Sequence, residues 1–369
     1  MKAEGIENFD FFGEDEKAFY KKLTTESVLV QGRHWEKPPY VTILIPTYKR
    51  PTLLKQALDS ALDQRGYADY QVIVVDNEGR DINESTETSR LMEQYTDEKV
   101  IYYRHKEPAK AKMDNVVKTA RSKWIVFLHD DDVLSPYHLQ IMAGIVRKHR
   151  RIKYLAATHE EFYGDNTIKN EQGLENDILS FKLKKYPKSY ICLGHVPGWR
   201  GAMIDRERYI SIGGMPSINT GMGDYCMEGK YIYRYGVYEL DMSMPLYFYR
   251  IWNKQISAAS EERDIWTKVF INKVFYHRYV AAKIHPIKRE LWKRIGLHQI
   301  LSEIISVRKQ FGEAGIDWKI FLEECEISFD EFEKNDTYLS DMSKRTLYEI
   351  IVDNFWPTIR SSGGITLCS

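Results

Sequence analysis

Four short runs rich in apolar residues, at 41–45, 71–75, 100–104 and 124–128, confine what this chain can fold into. Each has strand length and is bounded by stretches with helical spacing. The clearest stretch starts at Pro51 and runs to about residue 64, with Leu53, Leu54, Ala57, Leu58, Ala61 and Leu62 on one face. Further helices are expected at 85–95 and 110–120. Buried strands alternating with helices imply a parallel sheet joined by helical crossovers.

The fourth run ends in acid. Trp124-Ile125-Val126-Phe127-Leu128 leads into His129-Asp130-Asp131-Asp132. Three adjacent carboxylates repel one another, and desolvating them is costly unless a cation or hydrogen-bond donors compensate. A hard divalent cation, Mg²⁺ or Mn²⁺, prefers oxygen ligands and would compensate. In open α/β sheets ligands bind beyond the carboxyl ends of the strands, where this run lies. A solvated acidic turn capping the next helix through Asp132 or Ser135 is the plainer alternative.

Bulk composition excludes more than it selects. Lys plus Arg number 53 and Asp plus Glu 53, so net charge offers no case for nucleic-acid binding. Cys192, Cys226, Cys325 and Cys368 are scattered without metal or disulfide spacing, which fits a reduced, cytoplasmic setting. The first twenty residues are polar and acidic, so a signal peptide is not expected. No apolar run approaches the roughly 20 residues that span a bilayer.

Lys37-Pro38-Pro39 marks a boundary, and residues 1–38 read as an N-terminal extension with one helix at 14–23. Residues 39–150 read as a nucleotide-binding half and 151–258 as an acceptor half. In the latter, strands are expected at 154–163, 202–205 and 245–251, and helices at 209–213 and 224–235. Residues 259–369 read as a helical C-terminal region. There, 268–309 hold ten Lys/Arg against two Glu, a net of +8, and 310–340 hold nine Asp/Glu against two Lys, a net of −7. Blocks of opposite sign commonly pair as solvated faces. Trp266, Phe270, Phe275, Tyr276 and Trp292 in or beside the basic block also suit docking to an anionic membrane surface, and an oligomer contact is a third use.

Val41-Thr42-Ile43-Leu44-Ile45-Pro46-Thr47-Tyr48-Lys49-Arg50, Val74-Val75-Asp76-Asn77 and the Asp130–Asp132 run, in that order, resemble the family 2 glycosyltransferases. The resemblance covers about residues 40–257. It implies a GT-A fold, a Rossmann-like, mostly parallel central α/β sheet flanked by helices. It also implies a nucleotide-sugar donor, a divalent metal (Mn²⁺ or Mg²⁺) and inversion at the transferred sugar.

By this resemblance Pro46, Thr47 and Tyr48 wrap the base of the donor, Arg50 follows one turn on, and Asp76 contacts base or ribose. Lys112 and Asn115 lie on the helix that approaches the diphosphate. Asp131 is the metal ligand, with Asp130 on the metal or the ribose. Ile212-Gly213-Gly214-Met215 matches a downstream glycine pair, and Asp224 takes the position of the catalytic base. Arg250 lies in the closing Tyr249-Arg250 motif and reaches the diphosphate. His195, Trp199 and Arg200 fall on the acceptor side. Asn77, Ala109, His129 and Gly223 depart from family habit. Asp76-Asn77 with Gly79 is equally a plain turn, Asp224 a plain N-cap, and Trp199 a packed loop residue.

The chemistry implied is transfer of a sugar, of hexosyl type, from a nucleoside-diphosphate sugar, UDP-linked by preference. The acceptor is a hydroxyl of a saccharide or lipid-linked molecule, as in surface polysaccharide or glycan assembly at the inner face of a membrane. The competing reading is a nucleotide-sugar-binding module without turnover. A P-loop hydrolase is excluded by the lack of a Gly-X-X-X-X-Gly-Lys motif, and a nucleotidyltransferase is disfavoured by the lack of glycines after the first apolar run. Donor sugar, acceptor and linkage have no readable code in the sequence.

Overall fold

The computed structural model describes residues 15–79, 81–109, 112–164, 179–186, 198–215, 223–251 and 363–365. The expected alternation is present. β2 (Val41–Thr47), α2 (Pro51–Leu62), β3 (Tyr70–Asp76), α3 (Glu87–Met92), β4 (Val100–His105), α4 (Lys112–Thr119) and β5 (Trp124–Phe127) follow one another. Pro51 occupies the first turn of α2, where its missing N–H costs nothing.

A short β6 (Val133–Leu134), α5 (His138–Lys148), β7 (Tyr154–Ala156) and β8 (His159–Tyr163) come next. Then follow β9 (Leu179–Tyr186), β10 (Met203–Asp205), α6 (Arg206–Ser211), α7 (Gly223–Tyr235), β11 (Val237–Asp241), β12 (Tyr247–Ile251) and β13 (Gly363–Ile365). The N-terminal residues add α1 (Glu16–Lys21) and β1 (Ser27–Gln31).

The large sheet runs β1-β4-β3-β2-β5-β10-β7-β11-β9-β13. Its centre, β4-β3-β2-β5, is parallel, and antiparallel pairs predominate toward both ends. This is the expected α/β architecture with a parallel central sheet. The chain lays down β2, β3 and β4 in one direction and then returns to place β5 on the other side of β2. That reversal opens a crevice beyond the carboxyl ends of β2 and β5, where α/β proteins hold ligands.

Side chains alternate between the two faces. Leu44 of β2 joins a core with Phe19, Val117, Tyr209 and Met227 on one side. Val41, Ile43 and Ile45 join another with Leu54, Leu58, Leu139 and Ile145 on the other. Each such buried side chain contributes about 1.5–3 kcal/mol.

Two expectations are refined. The single strand expected at 154–163 is two strands in different sheets. β7 lies in the large sheet, and β8 joins β12 and β6 in a three-stranded one. The break falls where the Thr158 carbonyl accepts N–H groups from Leu246 and Tyr247 at 3.0 and 3.1 Å, turning the chain out of the first sheet. The segment 1–38, expected as an extension, contributes β1, which pairs antiparallel with β4 as the sheet's edge strand. The half-buried β11 had no apolar run to announce it. The charged blocks 268–309 and 310–340 lie outside the described residues. Among the described residues no helix is long and apolar enough to cross a membrane.

Candidate active site

The three carboxylates face different partners. Asp130 turns toward the end of β2. Its Oδ2 accepts the Thr47 hydroxyl at 2.9 Å and the Tyr48 N–H at 3.3 Å, and its Oδ1 accepts Arg50 Nη1 at 3.2 Å. The same Arg50 nitrogen reaches Asp131 Oδ2 at 3.1 Å. Arg50 is the N-cap residue of α2 but makes no capping hydrogen bond through its side chain. Burial pushes the Asp130 carboxyl up, Arg50 pulls it down, and the neighbouring Asp131 charge pushes it up again. The turn carrying these donors holds Lys49 at φ 54°, a left-handed backbone rarely adopted by a residue other than glycine. The Tyr48 ring beside it is exposed.

Asp132 points the other way and is fully buried. Tyr247 donates its hydroxyl to Oδ2, and the Arg250 N–H donates to Oδ1 at 2.8 Å. Pairing of β6 with β12 brings these residues together. Gly201 makes room for Tyr247: its φ is +66°, and a Cβ there would stand 2.4 Å from the Tyr247 ring. The Arg250 side chain is equally buried. Its guanidinium donates to the Asp131 carbonyl at 2.6 Å, to Gln56 Oε1 at 2.6 Å and to the Gly164 carbonyl. Arg250 therefore braces the acidic loop; to touch a diphosphate it would have to leave these partners.

His129, Asp131 and Asp132 each offer one ligand atom, all within 4.8 Å of one another. One imidazole nitrogen and two carboxylate oxygens form a donor set that suits Mn²⁺ or Mg²⁺ with open positions for phosphate or water. A divalent metal site is thus plausible here. Asp130 stands outside this set, committed to Thr47, Tyr48 and Arg50. His129, a departure from the family pattern, stands inside it.

Asp76 ends β3 beside Thr47 in register. It is buried, and its carboxylate accepts the Tyr102 hydroxyl at 3.0 Å and the Glu78 N–H at 2.9 Å. Burial pushes it up. Asn77 explains its own departure. Its Oδ1 accepts the Ala109 N–H at 2.8 Å and lies 2.7 Å from His105 Nδ1, a structural use that needs an acceptor rather than a charge. Burial holds the His105 imidazole down at about 4, so it is neutral and donates. Asn115 is buried on α4. The side chain of Lys112, and all of Lys110 and His195, lie outside the described residues.

Asp224 sits in the first turn of α7, where the helix dipole favours an anion. Its Oδ1 accepts the Tyr225 N–H at 2.8 Å, and its Oδ2 accepts the Trp199 indole N–H at 3.2 Å. Trp199 is buried edge-on against Phe127 and His129, with ring centroids 5.1 and 5.0 Å apart. One indole thus separates Asp224 from the metal-ligand group. Arg200 lies over the Tyr249 ring, 4.2 Å from its centroid. One turn beyond Asp224, Glu228 is buried and accepts the Tyr154 hydroxyl at 2.9 Å. Burial, then the Asp224 charge, pushes its carboxyl well up.

Sequence reasoning missed a clasp. Asp114 of α4 is buried and bonded to Lys22 Nζ at 2.6 Å, the Tyr209 hydroxyl at 2.8 Å and the Met215 N–H at 3.1 Å. Lys22 also donates to the carbonyls of Gly213, at 2.6 Å, and Met215. The signal was an acid set among Met113, Val116 and Val117 on the buried face of α4.

Comparison with known proteins agrees with the fold. Residues 42–207 match the model of glycosyl transferase family 2. An uncharacterized glycosyltransferase, RP339, of Rickettsia prowazekii (strain Madrid E) is 28% identical over 110 residues, 30% of this chain and 33% of that protein. Another, from Rickettsia bellii (strain RML369-C), is 32% identical over 112 residues, 30% of this chain and 15% of that protein. The chain spans a third or less of these curated relatives. The crystal structure of S. aureus TarS 1-349 in complex with UDP-GlcNAc superposes with a TM-score of 0.55 at 13% identity, covering 77% of this chain and 79% of that one. At that identity the likeness speaks for the fold alone.

Proposed function

We propose, from the match of residues 42–207 to the model of glycosyl transferase family 2, that the chain belongs to that family and transfers a sugar from a nucleoside-diphosphate sugar to an acceptor hydroxyl, with inversion. The observation carrying this reading is the His129, Asp131 and Asp132 group at the crevice between β2 and β5, one indole away from Asp224.

In this reading Pro46, Thr47 and the exposed Tyr48 ring bound the base, with Asp76 holding the turn behind them. Asp130 orients the ribose and fixes the turn through Thr47. His129, Asp131 and Asp132 would hold the divalent cation. When bound, such a cation neutralises charge developing on the leaving diphosphate, worth several kcal/mol. Arg50 lies beside both Asp130 and Asp131 and offers a second positive group to the phosphates. Lys112 and Asn115 approach from α4. Asp224 takes the proton of the attacking hydroxyl, a step typically worth about 10²–10⁴-fold. Arg200 and His195 flank the acceptor together with Trp199.

The donor is proposed to be a UDP-sugar of hexosyl type. The TarS complex, of the same fold, holds UDP-GlcNAc. The acceptor is proposed to be a saccharide or lipid-linked hydroxyl, at the cytoplasmic face of a membrane that 268–309 would touch peripherally. Sedimentation with anionic liposomes at low salt tests that contact.

The test of the activity is nucleoside-diphosphate release from a panel of UDP- and GDP-sugars with Mn²⁺ or Mg²⁺, alongside thermal unfolding. The expected result is metal-dependent release with one donor and a raised unfolding temperature for the same donor. A raised temperature without release would replace the enzyme with a nucleotide-sugar-binding module. Absence of both responses would overturn the reading.

A further inference from the structure

We infer that Trp199 is a positioning residue for Asp224, and that its indole sets the spacing between the proposed base and the metal-ligand loop. The inference rests on the reading of Asp224 given above. It goes beyond the two uses expected of Trp199 by sequence, a residue on the acceptor side or a packed loop residue.

Trp199 is only 7% exposed, and its ring packs in T-shaped geometry against both Phe127 and His129. A sugar needs a free aromatic face, and this ring offers little of one. Its N–H has a definite task. Indole nitrogen is a donor only, and here it points at Asp224 Oδ2. The other carboxylate oxygen is held by the Tyr225 N–H. With one donor on each oxygen the carboxylate plane is fixed, and lone pairs remain on both oxygens for an incoming hydroxyl. Without the indole, α7 would present the side chain in several rotamers.

The local backbone supports the same role. Gly201 N–H donates to the Phe127 carbonyl at 3.0 Å, and Ala202 N–H to the Trp199 carbonyl at 3.1 Å. The 199–202 turn is thereby tied to the end of β5, the strand that carries His129 and the carboxylates. Movement of the acidic loop and movement of Asp224 are coupled through one rigid ring. A general base gains from such fixing because small misplacement is costly in rate.

The experiment uses the full chain with ¹⁵N-labelled tryptophan. The Trp199 indole resonance is identified by its disappearance in Trp199→Phe. In Asp224→Asn it is expected to shift, whereas the exposed-residue control Asp63→Asn leaves it in place. In nucleoside-diphosphate release with UDP-N-acetylglucosamine, or whichever panel donor is released fastest, Trp199→Phe is expected to lower kcat about ten- to hundred-fold, the range for a hydrogen bond to a charged group. Donor KM is expected to stay within two-fold. Should Trp199→Phe not fold, the resonance is identified instead by its shift in Phe127→Leu and His129→Gln, which touch the ring.

An indole resonance indifferent to Asp224→Asn overturns the inference even if transfer is active. So does a Trp199→Phe enzyme with unchanged kcat, or one whose loss lies wholly in KM. A resonance that shifts while no donor is released overturns the catalytic reading of Asp224, and the role of Trp199 with it.

Discussion

Arg250 donates its backbone N–H to Asp132 Oδ1 at 2.8 Å across 118 residues of sequence, and its side chain clamps the carbonyl of Asp131 beside it. The acidic loop is therefore held from β12 as well as by its own turn, where the Asp132 N–H donates to the His129 carbonyl at 3.2 Å. Removing this side chain in Arg250→Ala leaves three acceptors without their donor, the buried Asp131 carbonyl among them. The expected cost is about 3 kcal/mol or more in urea unfolding. Tyr247→Phe, which deletes one hydroxyl donor to Asp132, is expected to cost about 1–3 kcal/mol. Equal stability of both variants with the parent would show that the loop holds itself.

Asp131 and Asp224 are expected to separate binding from chemistry. Asp131→Ala removes a metal-ligand oxygen, so transfer is lost and donor binding in the presence of Mn²⁺ weakens. Asp224→Asn keeps the shape and loses the proton acceptor, so transfer is lost while donor binding survives. Calorimetry and circular dichroism beside the activity assay check both. Transfer persisting in Asp224→Asn removes that residue from the mechanism.

The Lys22–Asp114 clasp predicts that the N-terminal helix is needed for stability. Lys22→Met strands a buried carboxylate that already sits above its ordinary range because of burial, with Lys22 the chief opposing influence. The expected loss is about 2 kcal/mol or more. Gly214→Ala attacks the same place from the other side, since its φ is +66° and a Cβ would meet Asp114 Oδ1 at 2.2 Å. Urea midpoints report both changes.

Burial holds the His138 imidazole down at about 4, while an unfolded histidine titrates near 6.5. Between those values the unfolded chain binds a proton that the folded chain refuses. Stability therefore falls as pH drops through this window, by up to about 1.4 kcal/mol per pH unit for one such group, and is unaffected by it above the window. His105 acts in the same direction. His138→Gln is expected to flatten the acid slope of unfolding free energy between pH 7 and 5. An unchanged slope would show that His138 does not supply it.

The sequence by itself determined the parallel centre of the sheet and the place of its acidic run. Strand and helix periods are local properties, and the apolar runs of β2, β3, β4 and β5 were long enough to be read. The run from His129 to Asp132 was legible for the same reason: adjacent charges at the end of a buried strand have no local justification. What the sequence left open was which carboxylate does what. Asp130, Asp131 and Asp132 are chemically identical, and only their partners, Thr47 and Arg50 for the first, Tyr247 and Arg250 for the last, distinguish them.

Those partners arrive from residues 80 or more positions away, through strand pairings that no local period encodes. The same holds for Trp199, where spacing alone could not distinguish a stacking surface from a buried donor to Asp224. Tertiary structure decided these partners because hydrogen bonds and burial act at a few ångströms, whatever the distance along the chain.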